Sequence, residues 1–159
     1  MIIKVKQLFF AAITSFLLVS CTALGFSKTK KNMKLITAYT KTISESEQSN
    51  PPMAGYFFVV KWENKNYPET VFWRGDGDWL TCKIEKAHKM MVNGKTTYTS
   101  QQFDITTLRK GDTLMLTPVT GGRFPIPAEI SDKAKNTLFY KVNGSKWLSL
   151  PVSKITKHN

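Results

Sequence analysis

Cysteine is almost missing from this sequence: Cys21 and Cys82 are the only two among 159 residues. A disulfide framework is thereby excluded, and so is any cysteine-rich zinc site. Histidine is equally scarce, with His88 and His158 alone. Cys82 and His88 lie on one extended run, roughly 20 Å apart at the rise of a strand, too far to share an ion. No metal site and no cofactor is expected. Long helical patterns are missing too, and so is a Gly-x-Ser-x-Gly nucleophile elbow. Gly121-Gly122 runs into Arg123 and a proline rather than a helix, so it is no phosphate cradle. Acidic residues are few, 11 against 23 basic ones, which leaves a net charge of +12.

The one long apolar run is Leu8-Phe9-Phe10-Ala11-Ala12-Ile13-Thr14-Ser15-Phe16-Leu17-Leu18-Val19, behind Lys4 and Lys6. It suits the core of an export signal and is short for a membrane span. It closes on Leu18-Val19-Ser20-Cys21, which reads as a lipoprotein processing site: a small residue, then a cysteine to be acylated. Two or more acyl chains on one residue hold a protein stably on a bilayer, at about 0.8 kcal/mol per buried CH₂. The competing reading is cleavage after Ala23-Leu24-Gly25, which releases a soluble periplasmic or secreted protein. The expected organisation is a signal peptide at 1–20, a flexible basic tether at 21–33 and a single β domain at 34–157. Lys28-Thr29-Lys30-Lys31 in the tether would rest on anionic headgroups.

Without Lys4 and Lys6 the chain holds 21 basic and 11 acidic residues. Such a surplus favours anionic partners. An export signal argues against nucleic acid, and leaves lipid headgroups or an anionic glycan. If Cys21 carries lipid, Cys82 has no partner within the chain. Alternation in Leu80-Thr81-Cys82-Lys83-Ile84 sets it on the face of Leu80 and Ile84, as a small buried hydrophobe.

From residue 34 onward the pattern predicts strand after strand. Residues 34–43 are rich in β-branched side chains, and 55–63 begin apolar on both faces, which places them centrally in a sheet. Residues 70–74 and 79–86 read as a hairpin around Gly75-Asp76-Gly77-Asp78. Asn93-Gly94, between 88–92 and 95–103, is the strongest short hairpin signal, because both turn positions need positive φ. Asn143-Gly144 repeats it between 138–142 and 147–150. Lys110-Gly111-Asp112 turns the chain into a strand at 113–119, and residues 131–135 could close a single helical turn. Eight or nine short strands joined by such turns predict an all-β fold: an antiparallel β-sandwich, with a small β-barrel as the alternative.

Chemistry-bearing clusters are sparse, and no catalytic residues are assigned. Gly75-Asp76-Gly77-Asp78 lacks the further ligands of a calcium loop and is satisfied as a turn. Trp73 and Trp79 bracket it. Alternation sets Phe72 and Trp73 on opposite faces, so an outward Trp73 beside Arg74, Asp76 and Asp78 would make a small binding platform, joined by Arg123. The other reading packs that Trp under the 44–54 loop.

Phe72-Trp73-Arg74-Gly75-Asp76-Gly77, Lys110-Gly111-Asp112-Thr113-Leu114, Ile126-Pro127-Ala128-Glu129-Ile130 and Lys146-Trp147-Leu148-Ser149-Leu150-Pro151 together resemble a group of small uncharacterised lipoproteins of Bacteroidetes-type bacteria. The resemblance implies a Gram-negative envelope; it implies nothing about catalysis, and no functional residues carry over from it. The expectation is a protein lipid-anchored through Cys21, on the periplasmic side of the outer membrane. It would be a binding module for a protein or anionic glycan rather than an enzyme. An envelope hydrolase and a purely structural component are the alternatives.

Overall fold

The computed structural model describes residues 31–43, 53–76, 79–119, 125–130 and 134–158. Nine strands account for most of them: β1 (Met33–Ile43), β2 (Met53–Trp62), β3 (Pro68–Arg74), β4 (Trp79–Val92), β5 (Lys95–Gln101), β6 (Thr113–Val119), β7 (Thr137–Val142), β8 (Leu148–Pro151) and β9 (Thr156–His158). A short 3₁₀ turn, Ile105–Thr107, is the only helical element among the described residues.

The all-β expectation holds. The strands form one curled sheet, a half-barrel, in the order β8-β7-β3-β4-β6-β2-β1-β9, with β5 paired to β4. It does not divide into the two stacked sheets of a sandwich, so the curl brings it nearer the barrel alternative. Every pair is antiparallel except β1 with β9, which run parallel through Tyr39↔Thr156 and Lys41↔His158. His158 thus belongs to a strand. Met33, assigned to the tether by sequence, opens β1 and is fully buried.

Alternation explains which side chains fill the concave side. Phe58, Val60 and Trp62 of β2, Val71 and Trp73 of β3, Leu114 and Leu116 of β6, and Leu138, Tyr140 and Val142 of β7 belong to one buried cluster. In β1 the register shifts between Leu35 and Thr37, a bulge that moves the inward positions from Met33 and Leu35 to Ala38. Cys82 lies in the same cluster with Leu80 and Ile84, as alternation predicts, and its burial pushes the thiol pKa up.

The buried Trp62 indole donates to the Asn66 carbonyl at 2.9 Å, and the Trp62 backbone is clamped by Gly111 and Asp112. Gly111 has φ 99°, so the expected turn at Lys110-Gly111-Asp112 needs glycine there. Asp112 fixes the turn by accepting from the Arg109 amide at 3.0 Å and pairing with Lys86 at 3.3 Å. Phe103, Ile105 and Leu108, around the 3₁₀ turn capped by Asp104, pack onto the core.

The convex side also carries apolar clusters. In one, Tyr39, Val59, Ala87 and Met115 meet Phe57 and Tyr98, because the β4–β5 ribbon folds back over the sheet. In the other, Phe72, Ile130 and Phe139 meet Trp79 and Trp147. β2 and β3 are therefore buried on both faces, the burial expected of β2 from its sequence.

Candidate binding cleft on the outer face of β3, β7 and β8

The second convex cluster grows directly from strand register. Phe72 stands opposite Phe139, Thr70 opposite Lys141 and Phe139 opposite Ser149. Facing residues of an antiparallel pair point to the same side. Because Leu138, Tyr140 and Val142 turn inward, Phe139 and Lys141 must turn outward. The β3–β4 pairing adds Arg74 opposite Trp79 on that same outer face.

Four aromatic rings make the surface continuous. Phe72 lies 6.4 Å from Trp79 and 5.7 Å from Trp147, and Trp79 lies 5.2 Å from Phe139. Each tryptophan carries a cation: the Arg74 guanidinium is 5.3 Å from the Trp79 ring centre, and the Lys141 ammonium 5.9 Å from that of Trp147. The turn over Ala128 and Glu129, closed by the Ile130 amide donating to the Pro127 carbonyl at 3.0 Å, lays Ile130 onto the rings.

Between this turn and the β7–β8 hairpin lies a cleft of about 700 Å³, lined by apolar Ile130, Phe139 and Trp147, by the two cations Lys141 and Lys146, and by Glu129. That volume falls in the range of small-ligand sites. The hairpin wall is pinned. Asn143 and Gly144 take φ 48° and 63°, and the Ser145 amide closes the turn onto the Val142 carbonyl at 3.0 Å. The Gly144 amide also donates to Glu69 of β3 at 2.6 Å. Strand pairing resumes only at Tyr140↔Leu148, so Lys146 and Trp147 sit in a wide loop rather than a tight hairpin.

The sequence-predicted platform is not assembled as expected. Trp73 is 1% exposed, with Phe58 at 4.5 Å and Tyr56 at 6.0 Å between ring centres. It is a core residue and cannot offer a face to a partner, because β3 is covered on both sides. Arg74 is half-buried over Trp79, and Asp76 is exposed in the turn. Cys21, Asp78 and Arg123 lie outside the described residues.

Sequence reasoning missed Phe139, Lys141, Lys146 and Trp147. The available signal was the strict alternation of Leu138-Phe139-Tyr140-Lys141-Val142, which separates an aromatic and a lysine from three inward residues. Chemically, the described residues of the lining offer stacking surface, two cations, the Ser145 and Ser149 hydroxyls and the Glu129 carboxylate. His88 lies elsewhere, exposed on the β4–β5 ribbon, and among the described residues no three His, Cys, Asp or Glu side chains converge. No family model matches this chain, and neither a search of curated proteins nor one of solved structures gave a match.

Proposed function

We propose that this protein is an envelope binding module, anchored by lipid on Cys21, whose outer-face cleft takes an anionic glycan. The observation that carries the reading is the pairing of Trp147 and Phe139 with Lys141 and Lys146 around one cleft. An aromatic ring accepts the apolar C–H face of a sugar, and a lysine beside it favours a carboxylate, sulfate or phosphate substituent. The excess of 21 basic over 11 acidic residues from Cys21 onward works in the same direction over longer range. Among the described residues the cleft lining supplies one carboxylate, Glu129, and the neighbouring Glu69 is engaged by the Gly144 amide, whereas acid–base glycoside hydrolysis uses two across the scissile bond. Binding is thus the function favoured over hydrolysis. Anchorage rests on Leu18-Val19-Ser20-Cys21 and on the lysines that follow it.

Titration of tryptophan fluorescence with oligogalacturonate and with a neutral oligosaccharide of the same length tests the cleft. The charged ligand is expected to bind more tightly, and salt to weaken it. Trp147→Ala should lower affinity at least about tenfold, equivalent to about 1.4 kcal/mol, and Lys141→Gln/Lys146→Gln should remove the preference for charge. Equal binding of both ligands, or full affinity without Trp147, refutes the reading. Mass spectrometry of the N-terminal peptide tests the anchor: acylated Cys21 supports it, and a mature terminus at Phe26 overturns it.

A further inference from the structure

We propose that the tip of the β4–β5 ribbon is a docking element for an anionic lipid surface. Pairing of β4 with β6 ends at Lys86↔Leu114, and beyond it β4 pairs with β5 alone, as far as Val92↔Lys95. The base of this ribbon is held against the sheet, since Ala87 and Tyr98 belong to the cluster of Tyr39, Val59 and Met115. Its tip is not. Met90, Met91 and Val92 are 45%, 64% and 46% exposed. Ile36, 44% exposed, lines a small groove with Thr96, the cross-strand partner of Met91, and so adds apolar surface on Met91's side of the ribbon. By alternation Met91 projects from the face of the ribbon that carries Ala87, and Met90 and Val92 from the opposite face, so the tip is apolar on both sides, unlike the scattered exposure of an ordinary surface.

The charges around the patch specify its occupant. His88, Lys89 and Lys95 are exposed beside it, and no Asp or Glu occurs from Lys86 through Phe103. Cores of protein–protein interfaces are enriched in aromatic residues and arginine and depleted in lysine. The tip, from His88 to Thr97, carries neither an aromatic side chain other than His88 nor an arginine, and it carries two lysines. Unbranched methionines adapt to a disordered acyl layer. Lysines keep their strongly hydrated ammonium groups at headgroup level while their stems lie along apolar surface. The two-residue turn at Asn93 and Gly94, with φ 50° and 73°, makes the end narrow enough to enter between headgroups. The cleft on β3, β7 and β8 plays no part in this contact, and neither does Cys21.

The test uses the full chain in a Cys21→Ser background, with Met91→Cys carrying an environment-sensitive NBD dye; buried Cys82 stays unlabelled. The chain is mixed with phosphatidylcholine vesicles, with and without phosphatidylglycerol. Blue-shifted NBD emission that doxyl-labelled lipid quenches is expected in the phosphatidylglycerol vesicles. Each lysine near such a surface is worth about fivefold in occupancy, so Lys89→Gln/Lys95→Gln should lower it about 25-fold at unchanged circular dichroism. Val92→Cys supplies the same reading from the adjacent position. Emission unchanged from water while the chain co-sediments with the vesicles overturns the proposal. So does an equal response with and without phosphatidylglycerol. A shift that grows with protein concentration without vesicles overturns it in favour of a second copy of the chain.

Discussion

Replacing Trp73 with alanine separates a core residue from a contact residue. The side chain is 1% exposed, sits against Phe58 with ring centres 4.5 Å apart and planes tilted by 43°, and meets Tyr56 at 6.0 Å. Truncating a buried tryptophan costs about 3–5 kcal/mol through lost transfer energy and the cavity left behind. The two aromatic contacts, worth roughly 0.5–1.5 kcal/mol apiece, put Trp73 toward the upper end of that range. With an m-value of about 1.5 kcal/mol per molar urea, a loss of about 4 kcal/mol lowers the midpoint by roughly 2.5 M. Since domains of this kind are stable by about 5–15 kcal/mol, the variant should remain folded only marginally. Equilibrium unfolding in urea, followed together by circular dichroism and fluorescence, measures this directly. Trp73→Phe should recover part of the loss because it keeps the stack on Phe58. A Trp73→Ala protein that unfolds within about 1 kcal/mol of the parent would refute the reasoning, since only a surface ring can be removed so cheaply.

Other perturbations probe separate parts of the molecule. Cys82 should resist thiol reagents in the native protein and react once unfolded, because burial holds the thiol protonated. Its folded pKa lies above the ordinary value of 9.0, so its contribution to stability is complete below that value. As pH rises above roughly 9 the unfolded state alone loses the proton, and stability falls by up to about 1.4 kcal/mol per pH unit. Unfolding midpoints across that window should flatten in Cys82→Ala; a slope unchanged by the substitution would assign it to other groups. Gly94→Ala places a side chain at φ 73° in open space, so the cost is backbone strain alone. At about 1 kcal/mol, it should lower the thermal midpoint by about 3 °C in a scanning fluorimetry run. Trp147→Ala, at a half-buried ring, should cost much less stability than Trp73→Ala while being the more damaging of the two to glycan binding.

Local chemistry was legible in the sequence. Asn93-Gly94 and Asn143-Gly144 form turns with positive φ at both positions, Lys110-Gly111-Asp112 is a turn, and Arg74 and Trp79 close the predicted hairpin. These signals depend on a few neighbouring residues. What stayed hidden depends on residues far apart in the chain. The bulge at Leu35/Thr37 breaks the alternation of β1, and nothing within that strand announces it. Pairing of β1 with β9 joins two ends of the domain, so the β domain expected at 34–157 stops short of His158, although its ring stacks 4.6 Å from Tyr39. The candidate site shows the same division. Phe72 and Trp73 do point to opposite faces, as alternation requires, but the face given to Phe72 is roofed by Ile130 and Trp147, from a distant stretch of chain. A hairpin read alone therefore placed the aromatic surface near the right strand and chose the wrong ring.

The parallel pair of β1 and β9 also sets the order of events in folding. Thr156 donates its hydroxyl to the Ala38 carbonyl across 118 residues of sequence, whereas the β1–β2 and β4–β5 hairpins close over short spans. Loop-closure entropy makes the distant contact late. Until it forms, β1 presents a free row of backbone donors and acceptors, the kind of edge that recruits another chain. During synthesis from the N-terminus, that edge stays open until residues 156–158 arrive. The three residues of β9 thus act as a closing seam, and a mutation there should raise aggregation during folding more than it alters the finished structure.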